Sequence, residues 1–215
     1  MERSAALAEH TRQEIIRLCR AGLDTRALLD GLIRRLRKVV PIDVVFFATA
    51  DPGTLLFTGS VVDDVLGRVT AQFVENEFLQ DDVNKFVNLA RSRQPVSGLY
   101  LATDREPHRS PRYRDILSPL GLGDELRVAL VTGTGCWGYL CLHREHADPG
   151  FTVAESSFVS QLAPHVAEGI RGALLLDAVA TGMRPSGPGL VVLADDLSLV
   201  ATTPLAGQWL DEMGD

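Results

Sequence analysis

The sequence predicts an α+β domain: an antiparallel sheet with an apolar interior on each face and helices covering both. Two alternating strands and a helical stripe at either end of the chain predict it. Leu126, Val128 and Leu130 alternate with Arg127, Ala129 and Val131. After Gly133-Thr134-Gly135, the residues Trp137, Tyr139 and Cys141 alternate with Gly138, Leu140 and Leu142. Period-two alternation with apolar residues in both phases marks a hairpin buried on both sides. One of the two interiors is the expected place for a ligand chamber.

The elements follow in order. Leu7, Thr11, Ile15 and Leu18 lie on one face of a first helix. Asp24 can cap a second, striped by Leu28, Leu32, Leu36 and Val39 and stopped by Pro41. DVVFFATA and TLLFTGSVV read as strands joined across Asp51-Pro52-Gly53, a strong turn signal. Residues 66–92 read as helical with an interruption near Gln80-Asp81-Asp82, and VSGLYLA as a short strand. A polar loop over residues 103–111 leads to a short helix and the hairpin. Thr152 and Glu155 form a capping box that opens a long helix through about Val179, striped by Phe158, Leu162, Val166, Ile170 and Leu174. TGMRPSGPG is a linker by composition. Beyond it GLVVLADDLSLVATT reads as a hairpin and PLAGQWLDEM as a helix that Pro204 can start. The division is therefore 1–180 for the main domain, 181–188 for the linker and 189–215 for a truncated second segment. That last piece is too small to be stable alone, so the native chain is expected to continue past Asp215.

Composition narrows the function. The chain has 215 residues, 46% of them hydrophobic, which is enough for a real core. A formal net charge of −7 is a poor basis for wrapping nucleic acid. The stretch from Arg12 to Lys38 is locally basic, and the wet faces of two amphipathic helices account for it. Cys19, Cys136 and Cys141 lack CxxC or disulfide-like spacing and read as reduced, buried thiols. No apolar run approaches the ~20 residues that cross a bilayer, and the N-terminus carries no secretory pattern. A cytoplasmic location is expected.

Chemical motifs are few. There is no GxSxG, no HExxH and no glycine-rich phosphate loop followed by a helix, so no enzyme activity is expected. Cys141 and His143 share one strand face, but His146 and distant histidines make a poor third and fourth ligand, and no metal site is expected. Phe73, Phe86, Tyr100, Tyr113 and Trp137 are the candidate pocket aromatics, with Arg127 as a polar group that fixes orientation. Ordinary core packing is the plainer role for such aromatics. Arg127 has Asp124, Glu125 and Asp115 as alternative partners.

SPRYRDILSPLGLGDELR, CWGYLCLHRE, FTVAE and APHVAEGIRGAL resemble the N-terminal sensory region of actinobacterial LuxR-type transcription regulators. In that family a GAF-like domain precedes a PAS-like piece, which GPGLVVLADDLSLVATTPLAGQWL resembles, and a C-terminal helix-turn-helix. The resemblance implies a GAF/PAS-like sheet of about six strands with a pocket opposite the terminal helices. It implies a small-molecule effector of unidentified chemistry, a homodimer formed through the terminal helices, and DNA binding only through a C-terminal domain that these residues lack. Asn84-Lys85-Phe86 matches part of the cyclic-nucleotide motif of some GAF domains, but the rest is missing and cyclic GMP is not expected. The loop 103–111 has no cysteine for a bilin; its His108 is a weak candidate for haem.

Overall fold

The computed structural model describes residues 2–133, 135–146, 150–180 and 189–213. The chain opens with α1 (Glu2–Cys19) and α2 (Thr25–Leu36). Asp24 caps α2 as expected, its Oδ1 accepting from the Ala27 amide at 2.8 Å. Strands β1 (Val44–Ala50) and β2 (Phe57–Val62) follow, their turn organised by the Asp51 carboxylate, which accepts from the Gly53 and Thr54 amides.

The helical stretch after β2 is three pieces: α3 (Asp64–Gly67), α4 (Thr70–Leu79) and α5 (Phe86–Arg91). The break after α4 is fixed by Lys85, whose Nζ donates to the carbonyls of Asn76 and Gln80. β3 is only Val96–Gly98; Leu99–Ala102 turns into a short helix, α6, so the expected seven-residue strand ends early. Asp124 accepts from the Tyr100 amide at 3.3 Å and Thr103 Oγ1 donates to the Leu99 carbonyl, which stabilises helix over strand there. A π-helical turn over Tyr113–Leu117 leads into β4 (Leu122–Thr132) and β5 (Gly135–Glu145).

The long helix α7 spans Val153–Ala180. Its capping box is formed: the Glu155 amide donates to Thr152 Oγ1 at 3.2 Å and the Thr152 amide to Glu155 Oε2 at 2.8 Å. The linker 181–188 lies outside the described residues. After it, β6 (Val191–Leu193) and β7 (Leu199–Thr202) pair as a separate two-stranded sheet, and α8 runs over Pro204–Met213. Leu197, Leu199, Val200 and Trp209 of this segment are exposed.

The main sheet is antiparallel in the order β2-β1-β5-β4-β3. Among the described residues it has five strands, in keeping with the sheet of about six that the resemblance implied. Both faces are covered, as the alternation predicted. Val45, Phe47, Leu126, Val128, Leu130, Leu140 and Leu142 pack against α1, α2 and α7. Val44, Phe46, Ala48, Ala129, Tyr139 and Cys141 face α3–α6 and the π-turn, through Leu66, Phe73, Phe86, Leu99, Tyr113 and Leu117. Among the described residues, no helix is long and apolar enough to cross a membrane.

One residue departs from the alternation. Leu130 pairs with Gly138 but Val131 pairs with Cys136, so Trp137 is the extra residue of a bulge. A one-residue slip moves a side chain to the other face. Trp137 therefore joins the helix-covered core while Tyr139 and Cys141 face the other way.

Candidate functional site

The face of the sheet opposite α1 and α7 carries charge where its periodicity promised only apolar residues. Glu125 pairs in register with His143, and Arg127 with Cys141; all four are fully buried. From the segment before the π-turn, Arg112 enters the same layer, equally buried. Its Nε donates to Glu125 Oε2 at 2.9 Å, its Nη1 to Asn76 Oδ1 at 3.3 Å, and both Nη atoms to the Val83 carbonyl. Asp82 lies 3.7 Å from Arg112 Nη1 and accepts from the Arg112 amide at 2.7 Å.

Arg127 is held differently. Its guanidinium lies over the Phe86 ring at 3.9 Å and beside Phe73 at 5.4 Å. Nη1 sits 2.8 Å from Glu77 Oε2 of α4 and donates to the Asn84 carbonyl at 2.9 Å. Glu77 Oε1 accepts from the Phe86 amide at 2.7 Å. Five buried atoms of the cluster nevertheless lack an aligned hydrogen bond: Glu77 Oε2, Glu125 Oε1, Arg127 Nε, Arg127 Nη2 and His143 Nε2. Arg127 Nε and His143 Nε2 each lie 3.4 Å from Glu125 Oε1, the first of these contacts being an ion pair.

The ionisation of the cluster follows from its geometry. Burial pushes the Glu125 carboxyl up, but Arg112 and Arg127 outweigh it and hold the group well below the ordinary carboxylate range. Asp82 is likewise lowered, with Arg112 prevailing over burial. Burial works against the charge on Arg127, and Glu77 and Glu125 reverse that and raise it. Glu125 and Asp82 thus bind protons more weakly in the folded chain than in the unfolded one, where the ordinary values are 4.5 and 3.8. Their stabilisation is complete above those values and is lost as pH falls toward the folded ones. The urea midpoint should stay level from neutrality to about pH 5 and fall steadily below about pH 4.5. A midpoint that rises on acidification would show that Asp124, whose carboxyl burial pushes up, outweighs Glu125 and Asp82.

The donor atoms of Glu125, Cys141 and His143 lie within 4.8 Å of one another, a spacing that can hold a metal ion. The surroundings do not suit a cation. Glu125 is already engaged by two guanidinium groups, and burial, reinforced by the Glu125 charge, drives the Cys141 thiol upward and keeps it protonated.

Phe73, Phe86 and Arg127 lie together in one packed group. The ligand chamber expected from the sequence is filled on this face by side chains: Arg112, Arg127, Phe86 and Tyr139 are all essentially inaccessible. Tyr113 and Tyr100 belong to a neighbouring group. The Tyr113 hydroxyl is 3.0 Å from His146 Nε2 and its ring meets His108 edge-on, while Tyr100 sits at the Asp124 end. Trp137 does not join either, because the bulge turns it to the opposite face. Glu125 is the one sequence-suggested partner of Arg127 that is realised; Asp124 faces away. The sequence reading missed Glu77, Asp82, Arg112 and His143 as members of the cluster. Glu125-x-Arg127 on an otherwise apolar strand was the available signal, since two charges in one phase of a doubly covered strand must meet partners from elsewhere.

The sheet thus carries its terminal helices on one face, and short helices and loops over a polar cluster on the other. Residues 24–170 match the GAF domain family, and the chain belongs to it; these are ligand-binding sensory domains of regulators and kinases. Solved structures with this fold include the GAF domain/HD domain protein from Geobacter sulfurreducens, 23% identical with a TM-score of 0.51 over 72% of this chain and 97% of that one. The GAF domain of a phosphoenolpyruvate-protein phosphotransferase from Coxiella burnetii is 18% identical, with a TM-score of 0.52 over 84% and 99%. The phycoerythrobilin-bound GAF domain of a cyanobacterial phytochrome is 15% identical, with a TM-score of 0.51 over 79% and 96%. At these identities the likeness is one of fold. No curated protein matches the sequence significantly.

Proposed function

We propose that this chain is the effector-sensing part of a cytoplasmic bacterial transcription regulator of the LuxR type. Binding on the Arg127 face is relayed through α7 to a C-terminal DNA-binding domain. One observation carries the relay. The rung Glu125–His143 points into the buried cluster, and the adjacent rung, Asp124–Arg144, points outward to the start of α7. Asp124 Oδ2 accepts from the Phe151 amide at 2.7 Å. Arg144 donates to the Gly150 carbonyl at 3.1 Å and to Glu155 Oε1 at 2.7 Å, and lies over the Phe151 ring at 4.3 Å. A displacement of the inner rung is thus felt two residues from the α7 cap. The regulator context rests on the resemblance of residues 110–127 and of the segment after residue 189.

The test is hydrogen exchange on the full chain, with and without an effector selected by thermal shift from a metabolite collection. Altered exchange over residues 150–160 supports the relay; an effector that binds and leaves α7 unchanged defeats it. A second role, homodimerisation, is favoured by the half-exposed Leu7 of α1 and Leu175 and Leu176 of α7. The two roles are compatible, since regulators that bind two DNA half-sites do so as dimers.

A further inference from the structure

We propose that the Glu77 carboxylate stands in for the effector's own, and that the effector is a small monocarboxylate with a flat apolar body. The proposal rests on the sensing role argued above and names the chemistry of that site.

The cradle is defined by what Glu77 touches. Its two oxygens meet the Arg127 guanidinium at 2.8 Å and the Phe86 amide at 2.7 Å, one charge and one N–H donor converging on a single carboxylate. Arg127 has capacity to spare. Glu77 engages it through Nη1 alone and Nε lies 3.4 Å from Glu125 Oε1, while Nη2, on the same fully buried side chain, donates no hydrogen bond. A carboxylate untethered to a helix can rotate to take two guanidinium nitrogens at once, the geometry arginine favours.

Charge decides the class of ligand. The buried groups Arg112 and Arg127 face Glu77, Glu125 and Asp82, with the Lys85 ammonium held against the end of α4. Exchanging one carboxylate for another leaves this balance unchanged. A neutral ligand that expelled Glu77 would leave Arg127 with Glu125 alone, at 3.4 Å and shared with Arg112, and a cation would meet two guanidinium groups. The rings around the cradle set the shape of the rest. Phe86 is covered by Arg127 at 3.9 Å and by Tyr139 at 4.4 Å, so the room comes from α4: withdrawing Phe73 with Glu77 uncovers the Phe46 ring, 5.0 Å from it, and the Arg127 guanidinium, 5.4 Å from it, and a planar apolar body fills that space.

Glu77 can leave only with its helix. Of the ten residues of α4, only Phe73, Asn76 and Glu77 are buried, and Leu79 at its end is 73% exposed. Two of the three anchors are polar members of the cluster. Its apolar hold is Phe73 against Phe46 and Phe78 edge-on to Phe57 at 5.2 Å, so a competitor that satisfies the polar anchors and occupies the place of Phe73 removes most of what keeps the helix down.

Benzoate is the probe, with benzamide and benzylamine as its neutral and cationic counterparts, applied to the full chain. In Glu77→Gln the cradle has lost its resident charge. Benzoate should bind that variant at least about tenfold more tightly than it binds the wild type and raise its Tm, and the two counterparts should do neither. Adding Arg127→Met to Glu77→Gln should abolish the gain. A folded Glu77→Gln protein with no preference for benzoate, or a preference that survives loss of Arg127, overturns the proposal. Should Glu77→Gln fail to fold alone, refolding yield in benzoate against benzamide gives the same decision: carboxylate-specific rescue supports the cradle and its absence refutes it. Benzoate seated without any change in α7 exchange would defeat the relay and leave the cradle standing. A carboxylate-free effector that shifts α7 would do the reverse.

Discussion

Arg127→Met should lower the stability of the folded chain by about 3–5 kcal/mol, read as a shift of the urea midpoint at neutral pH. The size follows from what is left behind. Glu77 loses its guanidinium, and Glu125 keeps only Arg112 and the His143 edge, all inside a layer that water does not reach. The transfer of an uncompensated carboxylate into such surroundings is the dominant cost; the lost contact itself is smaller. Glu77→Gln added to Arg127→Met should therefore recover a substantial part of the loss, because it removes the stranded charge. Additive losses in the double variant would show that the two residues do not act as a pair. The acid limb of the stability profile should also flatten in Arg127→Met, since one of the two cations that hold Glu125 ionised is gone.

Phe86→Ala should cost a similar amount, about 3–5 kcal/mol, by deleting a buried aromatic ring. That ring is 1% exposed, stacks on Tyr139 and supports the Arg127 guanidinium at 3.9 Å. Phe86→Leu separates the two contributions. Leucine restores most of the apolar volume and cannot supply the ring face, so it should cost the cation–π part, about 1–2 kcal/mol, plus modest repacking. If Leu and Ala variants prove equally damaging in thermal unfolding, the ring face carries the effect. Were Phe86→Leu indistinguishable from wild type, the stacking of Arg127 would be incidental to stability.

Much of the architecture was readable from local pattern. Alternation in β4 and β5 predicted a sheet with two interiors, and both exist. Asp24 and the Thr152/Glu155 box marked helix starts that the hydrogen bonds then display. Pattern failed at Leu99–Ala102, where an amide donates to Asp124, a residue 24 positions from Tyr100, and at Trp137, where a single inserted residue reverses the facing. Both errors came from long-range register, which no window of neighbouring residues contains.

The site shows the same division. Phe73, Phe86 and Arg127 could be nominated by type, yet Glu77, Asp82 and Arg112 look like ordinary helix-surface and loop charges in the sequence. Their amphipathic settings give each a solvent-facing alternative, and only closure of α4 and the 80–85 segment onto β4 places them in the interior. Periodicity by itself determined the sheet, its two covers and the helix caps, because those depend on residues within a few positions of one another. Tertiary structure alone decided that one cover holds a charge-balanced cluster in place of an open chamber. A buried ion is tolerable only beside its counter-ion, and apart from Glu125 and Arg127 those partners are 13 to 50 residues apart in the chain.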